Sequence, residues 1–176
     1  VNKVGPALLD NVPTPEKRDR AELDQLLAEN ALVFDFREAD DFAQEYVPGT
    51  VNIPASNSGF INYVGWFVDY TAPMYFIAPS EDAVAGIMEA LQSIGVDNVP
   101  AYFTSEVVTG ATETLNRLSV ADLKDTLANF TVIDVRGATE YQEKHISGSQ
   151  HIPLGYLPKQ LETLPKVREQ TPEILK

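Results

Sequence analysis

The stretch Val33-Phe-Asp-Phe-Arg-Glu-Ala-Asp-Asp-Phe-Ala-Gln-Glu-Tyr-Val-Pro-Gly-Thr-Val-Asn-Ile-Pro54 has a counterpart 99 residues further on. That counterpart is Val132-Ile-Asp-Val-Arg-Gly-Ala-Thr-Glu-Tyr-Gln-Glu-Lys-His-Ile-Ser-Gly-Ser-Gln-His-Ile-Pro153. The two align without a gap. Asp35, Arg37, Gly49, Ile53 and Pro54 meet Asp134, Arg136, Gly148, Ile152 and Pro153, and Phe42 meets Tyr141. Just upstream, Leu23 and Leu27 match Leu123 and Leu127 after a shift of one residue. Self-similarity at a fixed period is the mark of a repeated structural unit.

Each copy reads the same way. A short helix (Ala21–Glu29; Val120–Asn129) precedes an apolar run (Leu32–Phe36; Thr131–Val135). Short apolar runs suit strands buried on both faces of a parallel sheet. A polar stretch with one aromatic follows, then a glycine turn, then Val51-Asn-Ile53 or Gln150-His-Ile152 as a second short strand.

Only the first copy runs on visibly to completion. Phe60, Tyr63, Val64 and Phe67 have the spacing of one helix face, and Pro73 ends that region. Met74–Ala78 reads as a buried strand. Ser80 reads as the N-cap of a helix carrying Val84, Ile87, Met88 and Leu91, closed by Gly95. Val99–Phe103 reads as the last strand, and Thr104–Asn116, rich in Thr, Ser and Gly, as a linker. Strands alternating with helices give a parallel α/β sheet with right-handed crossovers. The expected organisation is a complete repeat over 1–115 and the N-terminal half of a second over 116–176.

Charge and composition narrow the chemistry. The net charge is −13, which argues against nucleic acid and anionic membranes as partners. No apolar run reaches the roughly 18 residues that would span a bilayer. Residues 1–115 hold 18 acidic and 5 basic side chains, whereas residues 116–176 hold 8 of each. Between Arg37 and Arg117 there is no Lys or Arg, so a site built from that stretch alone has no cation to hold an anion. The chain has no cysteine, hence no disulfide, no thiolate metal site and no thiol nucleophile.

Asp-x-Arg at a strand end, an aromatic a few residues on, a glycine turn and Ile-Pro together resemble the rhodanese superfamily. The pattern appears here twice, as Asp35-Phe-Arg37 with Gly49 and Ile53-Pro54, and as Asp134-Val-Arg136 with His145-Ile-Ser-Gly148 and Ile152-Pro153. More narrowly, Asn2-Lys-Val-Gly5, Asn52-Ile-Pro54 and Gly65-Trp-Phe-Val-Asp69 resemble the tandem rhodanese region of metallo-β-lactamase–rhodanese fusions, which are persulfide dioxygenase-like. The resemblance implies a rhodanese-like parallel sheet flanked by helices and a cytoplasmic protein of sulfur metabolism. It implies an adjoining metallo-β-lactamase-like domain, and a first rhodanese module that is degenerate. It also implies a persulfide or thiosulfate substrate reached only through a part this chain does not contain.

In that family a cysteine thiolate, held in a tight loop between a strand and a helix, accepts the sulfane sulfur. In the first repeat the matching loop is Ala78-Pro79-Ser80-Glu81-Asp82. Ala78 stands at the nucleophile's place and offers no sulfur. Pro79 removes one backbone donor. Glu81 and Asp82 are expected in the first helical turn, where they repel an incoming anion. A serine nucleophile at Ser80 would need a base that nothing supplies. No catalytic residue, no metal site and no cofactor are therefore expected in this chain.

Asp35, Arg37, Asp134, Arg136 and His145 are read as structural residues that hold the strand ends and the loops after them. His145 and His151, the only histidines, are spaced six apart and do not suggest a metal pair. The aromatic group Phe60, Tyr63, Trp66, Phe67 and Tyr70 reads as core or packing surface.

The register also extends to the end of the sequence. Val33–Ile77 can be laid on Val132–Lys176, with Pro73 on Pro172 and Met74-Tyr-Phe-Ile77 on Glu173-Ile-Leu-Lys176. The expectation is that a strand opens there and a cysteine follows shortly. The function expected is a non-catalytic rhodanese module with a partial second domain of a multidomain sulfurtransferase or persulfide-processing enzyme. The alternative is a self-contained rhodanese-like binding or regulatory module.

Overall fold

A computed structural model describes residues 14–160 together with Thr163 and Leu164. Asn2–Gly5 and Glu173–Lys176 lie outside the described residues. The chain divides into two compact units, Val1–Arg117 and Leu118–Lys176.

The first unit is a five-stranded sheet. Its strands are β1 (Glu16–Lys17), β2 (Leu32–Asp35), β3 (Val51–Asn52), β4 (Met74–Ala78) and β5 (Ala101–Thr104). They lie in the order β1-β5-β4-β2-β3, and every pairing is parallel. Alternation along each strand sends side chains to opposite faces. Phe34, Phe76, Ala78 and Tyr102 go to one face, where they pack with α3 (Phe60–Phe67) and α4 (Val84–Ser93). Val33, Ile77 and Phe103 go to the other, against Leu23, Leu26 and Leu27 of α1 (Arg20–Ala28). Such two-sided burial is why β2 and β4 read as apolar runs rather than as alternating patterns.

Helix α1 begins where Asp19 accepts from the Glu22 backbone N–H and Glu22 reaches back to the Asp19 N–H, a reciprocal cap. Helix α4 ends at Gly95, whose φ of +80° glycine adopts without a Cβ penalty.

Several expectations are corrected here. The polar stretch after β2 contains a short helix, α2 (Ala39–Gln44), and its counterpart is α6 (Ala138–Glu143). Strand β1 has no apolar signature, since both of its residues are exposed. It forms because its backbone pairs with the free edge of β5. The helix after β4 starts at Val84, and its N-cap is Ala83, which has no side-chain cap bond. Ser80 is therefore not the N-cap. Its carbonyl accepts from Ala83 N–H (3.3 Å) and that of Glu81 from Val84 N–H (3.1 Å), so the chain turns once before the helix begins. Glu81 and Asp82 accordingly precede the helix rather than sit in its first turn. Thr104–Asn116 is no free linker: Thr104 ends β5, and Val107 and Val108 are buried against the α1 face.

The second unit holds α5 (Val120–Thr126), capped by Ser119, then a 3-10 turn, Leu127–Asn129. Strands β6 (Ile133–Asp134) and β7 (Gln150–His151) pair in parallel around α6. The 3-10 turn Leu154–Lys159 follows. Among the described residues no helix is long and apolar enough to cross a membrane.

Candidate functional site

In an open parallel sheet, ligands gather beyond the C-terminal strand ends, where the strand order reverses direction. Here β2 lies between β3 and β4, so the reversal falls beside β2 and β4. A small open groove of about 300 Å³ sits there, lined by Arg37, Asp41, Gln44, Glu45, Pro79 and Ser105.

One wall is fixed by Asp35 and Arg37. Asp35 is wholly buried, and it takes Arg37 Nε at 3.0 Å and Nη2 at 2.6 Å. It also accepts from the Arg37 backbone N–H at 3.0 Å. Arg37 Nη2 goes on to the Glu45 carbonyl at 2.9 Å, which ties the end of α2 back to the strand. A bidentate, charge-assisted pair of this kind holds position as well as charge. Asn52 donates to the carbonyls of Asp35 (2.9 Å) and Arg37 (3.0 Å), closing the turn from the β3 side.

The second unit repeats most of this geometry. Arg136 Nε and Nη2 reach Asp134 at 3.0 and 2.6 Å, and Nη2 reaches the Lys144 carbonyl at 2.8 Å. His151 stands where Asn52 does and hydrogen-bonds the Arg136 carbonyl at 3.0 Å. Phe42 stacked on Tyr46 (4.6 Å between ring centres) becomes Tyr141 stacked on His145 (4.0 Å), with His151 on the other face of Tyr141 at 4.2 Å. The two histidines are thus brought to one ring, with Nδ1 of His145 bonded to the Tyr141 carbonyl. Among the described residues no group of three His, Cys, Asp or Glu could hold a metal ion. Gly49 and Gly148 turn at φ of +94° and +86°, a region that disfavours any residue with a Cβ.

Hydrogen bonding from Arg136 holds the Asp134 carboxyl well below the usual carboxylate range, down to about 2. A carboxyl depressed on folding contributes stability that is complete above its unfolded pKa of roughly 4 and is lost as pH falls through the folded value. The expected result is that Asp134 titrates near pH 2 by carboxyl-resolved NMR, and that Arg136→Gln returns it toward 4. An unchanged titration in the variant would show that the pair does not exist in solution.

The opposite wall is the loop after β4. Ala78 is the last residue of that strand, wholly buried among the aromatic residues of the α3–α4 face. Pro79 through Asp82 are exposed. Among the described residues, two cations reach this neighbourhood from outside the stretch that lacks them: Arg37, and Lys17 from β1. Neither is free. Arg37 is committed to Asp35, and Lys17 Nζ lies 3.0 Å from Glu81 and 3.1 Å from Glu106. Hydrogen bonds to Glu81 and then Glu106 raise the Lys17 pKa.

The aromatic group divides. Phe60 is buried and Tyr63 and Phe67 are half-buried, but Trp66 and Tyr70 are 48% and 56% exposed, so they are surface rather than core.

Sequence reasoning missed Asn52, Lys17 and Arg20 as positioning residues. The alignment of Asn52 with His151 carried a signal, since both donate to the same carbonyl of the repeat. For Lys17 and Arg20 there was none, because their partners are distant in sequence.

Residues 119–175 match the family described as Rhodanese-like domain. No curated protein matches the chain. Among solved structures, a complex of an EanB variant with hercynine superposes with a TM-score of 0.50 at 17% identity, covering 82% of this chain and 42% of that one. This likeness shows the fold. A metallo-beta-lactamase from Staphylococcus aureus subsp. aureus COL is 27% identical over 55% of this chain and 26% of its own, with a TM-score of 0.45. A thiosulfate sulfurtransferase from Pseudomonas aeruginosa is 18% identical over 85% of this chain and 36% of its own, with a TM-score of 0.41. The chain thus spans less than half the length of each of these structures.

Proposed function

We propose that this chain, which carries a rhodanese-like domain, is the non-catalytic rhodanese module and part of a second rhodanese domain of a multidomain sulfur-handling enzyme. The observation that carries the reading is the loop after β4. It has the place of a sulfur-accepting loop at the strand reversal, but it presents a buried Ala78, an exposed acidic turn and a lysine already held by two carboxylates. A persulfide anion would find there no thiolate to accept its sulfane sulfur and, among the described residues, no uncommitted positive charge. The first repeat then serves as a spacer or docking element. An adjoining metallo-β-lactamase-like domain is part of this proposal, resting on the resemblance of Asn52–Pro54 and Gly65–Asp69 to such fusions.

The purified chain is expected to form thiocyanate from thiosulfate and cyanide at the rate of a buffer blank. Ala78→Cys is expected to leave that rate unchanged. A thiol at this position is buried against Phe36, Phe60 and Phe76, and apolar burial raises a thiol's pKa above its free value of about 8.5. Alkylation rates measured against pH test this; a thiol titrating below about 7 would show that the loop still works as an anion site. The parent gene tests the wider reading. An upstream metallo-β-lactamase-like segment and a cysteine encoded after Lys176 support it, and a stop codon soon after Lys176 overturns it.

A further inference from the structure

The segment after β5 has the composition of a loose linker but is fastened at every second or third residue. Val107 and Val108 are buried in the α1-side core. Arg20, at the first residue of α1, then gathers the backbone that follows. It donates to the carbonyls of Val107 (3.0 Å), Thr109 and Ala111 (2.8 Å), while its Nε bonds Asp24 at 2.7 Å. The guanidinium fork presents several donors in one rigid plane, which a lysine ammonium cannot reproduce.

Past Ala111 the chain runs along α2. Thr112 donates to Glu45 (2.8 Å), and Glu113 exchanges two backbone hydrogen bonds with Tyr46, each 2.9 Å. The Tyr46 hydroxyl donates to the Glu113 carboxylate at 2.7 Å. Leu115 N–H donates to the Ala43 carbonyl at 2.9 Å. Arg117 pairs with Asp40 and donates to the Ala39 carbonyl at 2.6 Å. Only Leu118 separates this last clasp from Ser119, which caps α5.

We infer that residues 109–117 are a releasable strap, buckled to the first unit by Arg20, that stores chain length ahead of the second repeat. The fastenings differ in strength. The ion pair at Arg117 is more than half exposed, and such a pair contributes little and weakens with salt. The Tyr46–Glu113 clasp depends on a neutral phenol. Its bond to the Glu113 carboxylate raises the Tyr46 pKa, so this contribution is whole below the ordinary value near 10 and is lost as pH rises through the folded one. Arg20 binds three carbonyls of the segment with a side chain only 20% exposed. It is the buckle, and the others hold only while it holds the start of the strap. Release of nine residues, Thr109–Arg117, would lengthen the connection by up to roughly 30 Å. The inference does not depend on whether the chain transfers sulfur.

The test is hydrogen exchange by mass spectrometry on the full chain, comparing wild type with Arg20→Lys and Arg20→Ala. Amides of Glu113 and Leu115, which are bonded to the carbonyls of Tyr46 and Ala43, are expected to be protected in the wild type. Both variants are expected to exchange them at least about tenfold faster, while amides of β2 and β4 keep their wild-type rates. Unchanged exchange at Glu113 and Leu115 in both variants would overturn the assignment of Arg20 as the buckle. A parallel rise across β2 and β4 would overturn it too, by showing that Arg20 supports the whole unit.

Discussion

Asp35→Ala is expected to lower the unfolding free energy of the first unit by about 3–5 kcal/mol, the range for leaving a buried partner charge uncompensated. The variant strands Arg37, whose side chain is 8% exposed and whose other fixed partner is a backbone carbonyl. The equivalent change Asp134→Ala is expected to cost the second unit clearly less, because Arg136 is 44% exposed and water can replace part of the lost interaction. Closely similar hydrogen bonds are thus expected to carry different energies, because one pair is buried and the other is not. Urea unfolding read by Trp66 fluorescence reports on the first unit, where the only tryptophan lies, and hydrogen exchange at the β6 amides reports on the second. Equal, small losses in the two variants would show that the Asp35–Arg37 pair is hydrated in solution.

The second large effect is expected at Phe36. Its ring is at the centre of the α3–α4 core, stacked on Phe34 (5.5 Å) and Phe76 (5.3 Å) and met edge-on by Phe60 (4.8 Å). Phe36→Ala removes three ring contacts and leaves a cavity that neighbouring rings cannot fill, at a cost of about 3–5 kcal/mol. Phe36→Leu keeps most of the volume and is expected to recover more than half of that loss. The residue one repeat later, Val135, is 38% exposed, so Val135→Ala is expected to change stability by less than about 1 kcal/mol. Thermal unfolding of the three variants settles the order. A Phe36→Ala loss no greater than that of Val135→Ala would mean that the aromatic core is not packed as described.

What the sequence disclosed was what the backbone makes hard to vary. Gly49 and Gly148 sit at left-handed turns, Asp35 and Asp134 each bind an arginine two residues on, and so the repeat announces itself at these positions. Strand β4 was legible to the residue because burial on both faces demands an unbroken apolar run. Strand β1 was not, since its pairing uses only backbone groups and its side chains are a glutamate and a lysine. Helices α2 and α6 are six residues each, too short for a periodic pattern to stand out. Ser80 followed by two acids looks like a helix cap, but the decision belonged to the turn between Ser80 and Ala83. The strap was hidden for a different reason. Its Thr and Gly content describes a linker, and the arginine that fastens it comes from the first helix, 91 positions before its farthest partner.

The two outer strands of the five-stranded sheet, β1 and β3, are two residues long. A sheet invites another chain along any outer strand that offers a row of unpaired N–H and C=O groups. Here each border offers scarcely one rung, and β1 flanks its rung with Glu16, Lys17 and Arg18. The interior strands, which carry Phe34, Phe76 and Phe103 with Val33 and Ile77, would be hazardous if they stood at a border. Their short neighbours, β1 charged and β3 ending on an asparagine, leave little for edge-to-edge pairing.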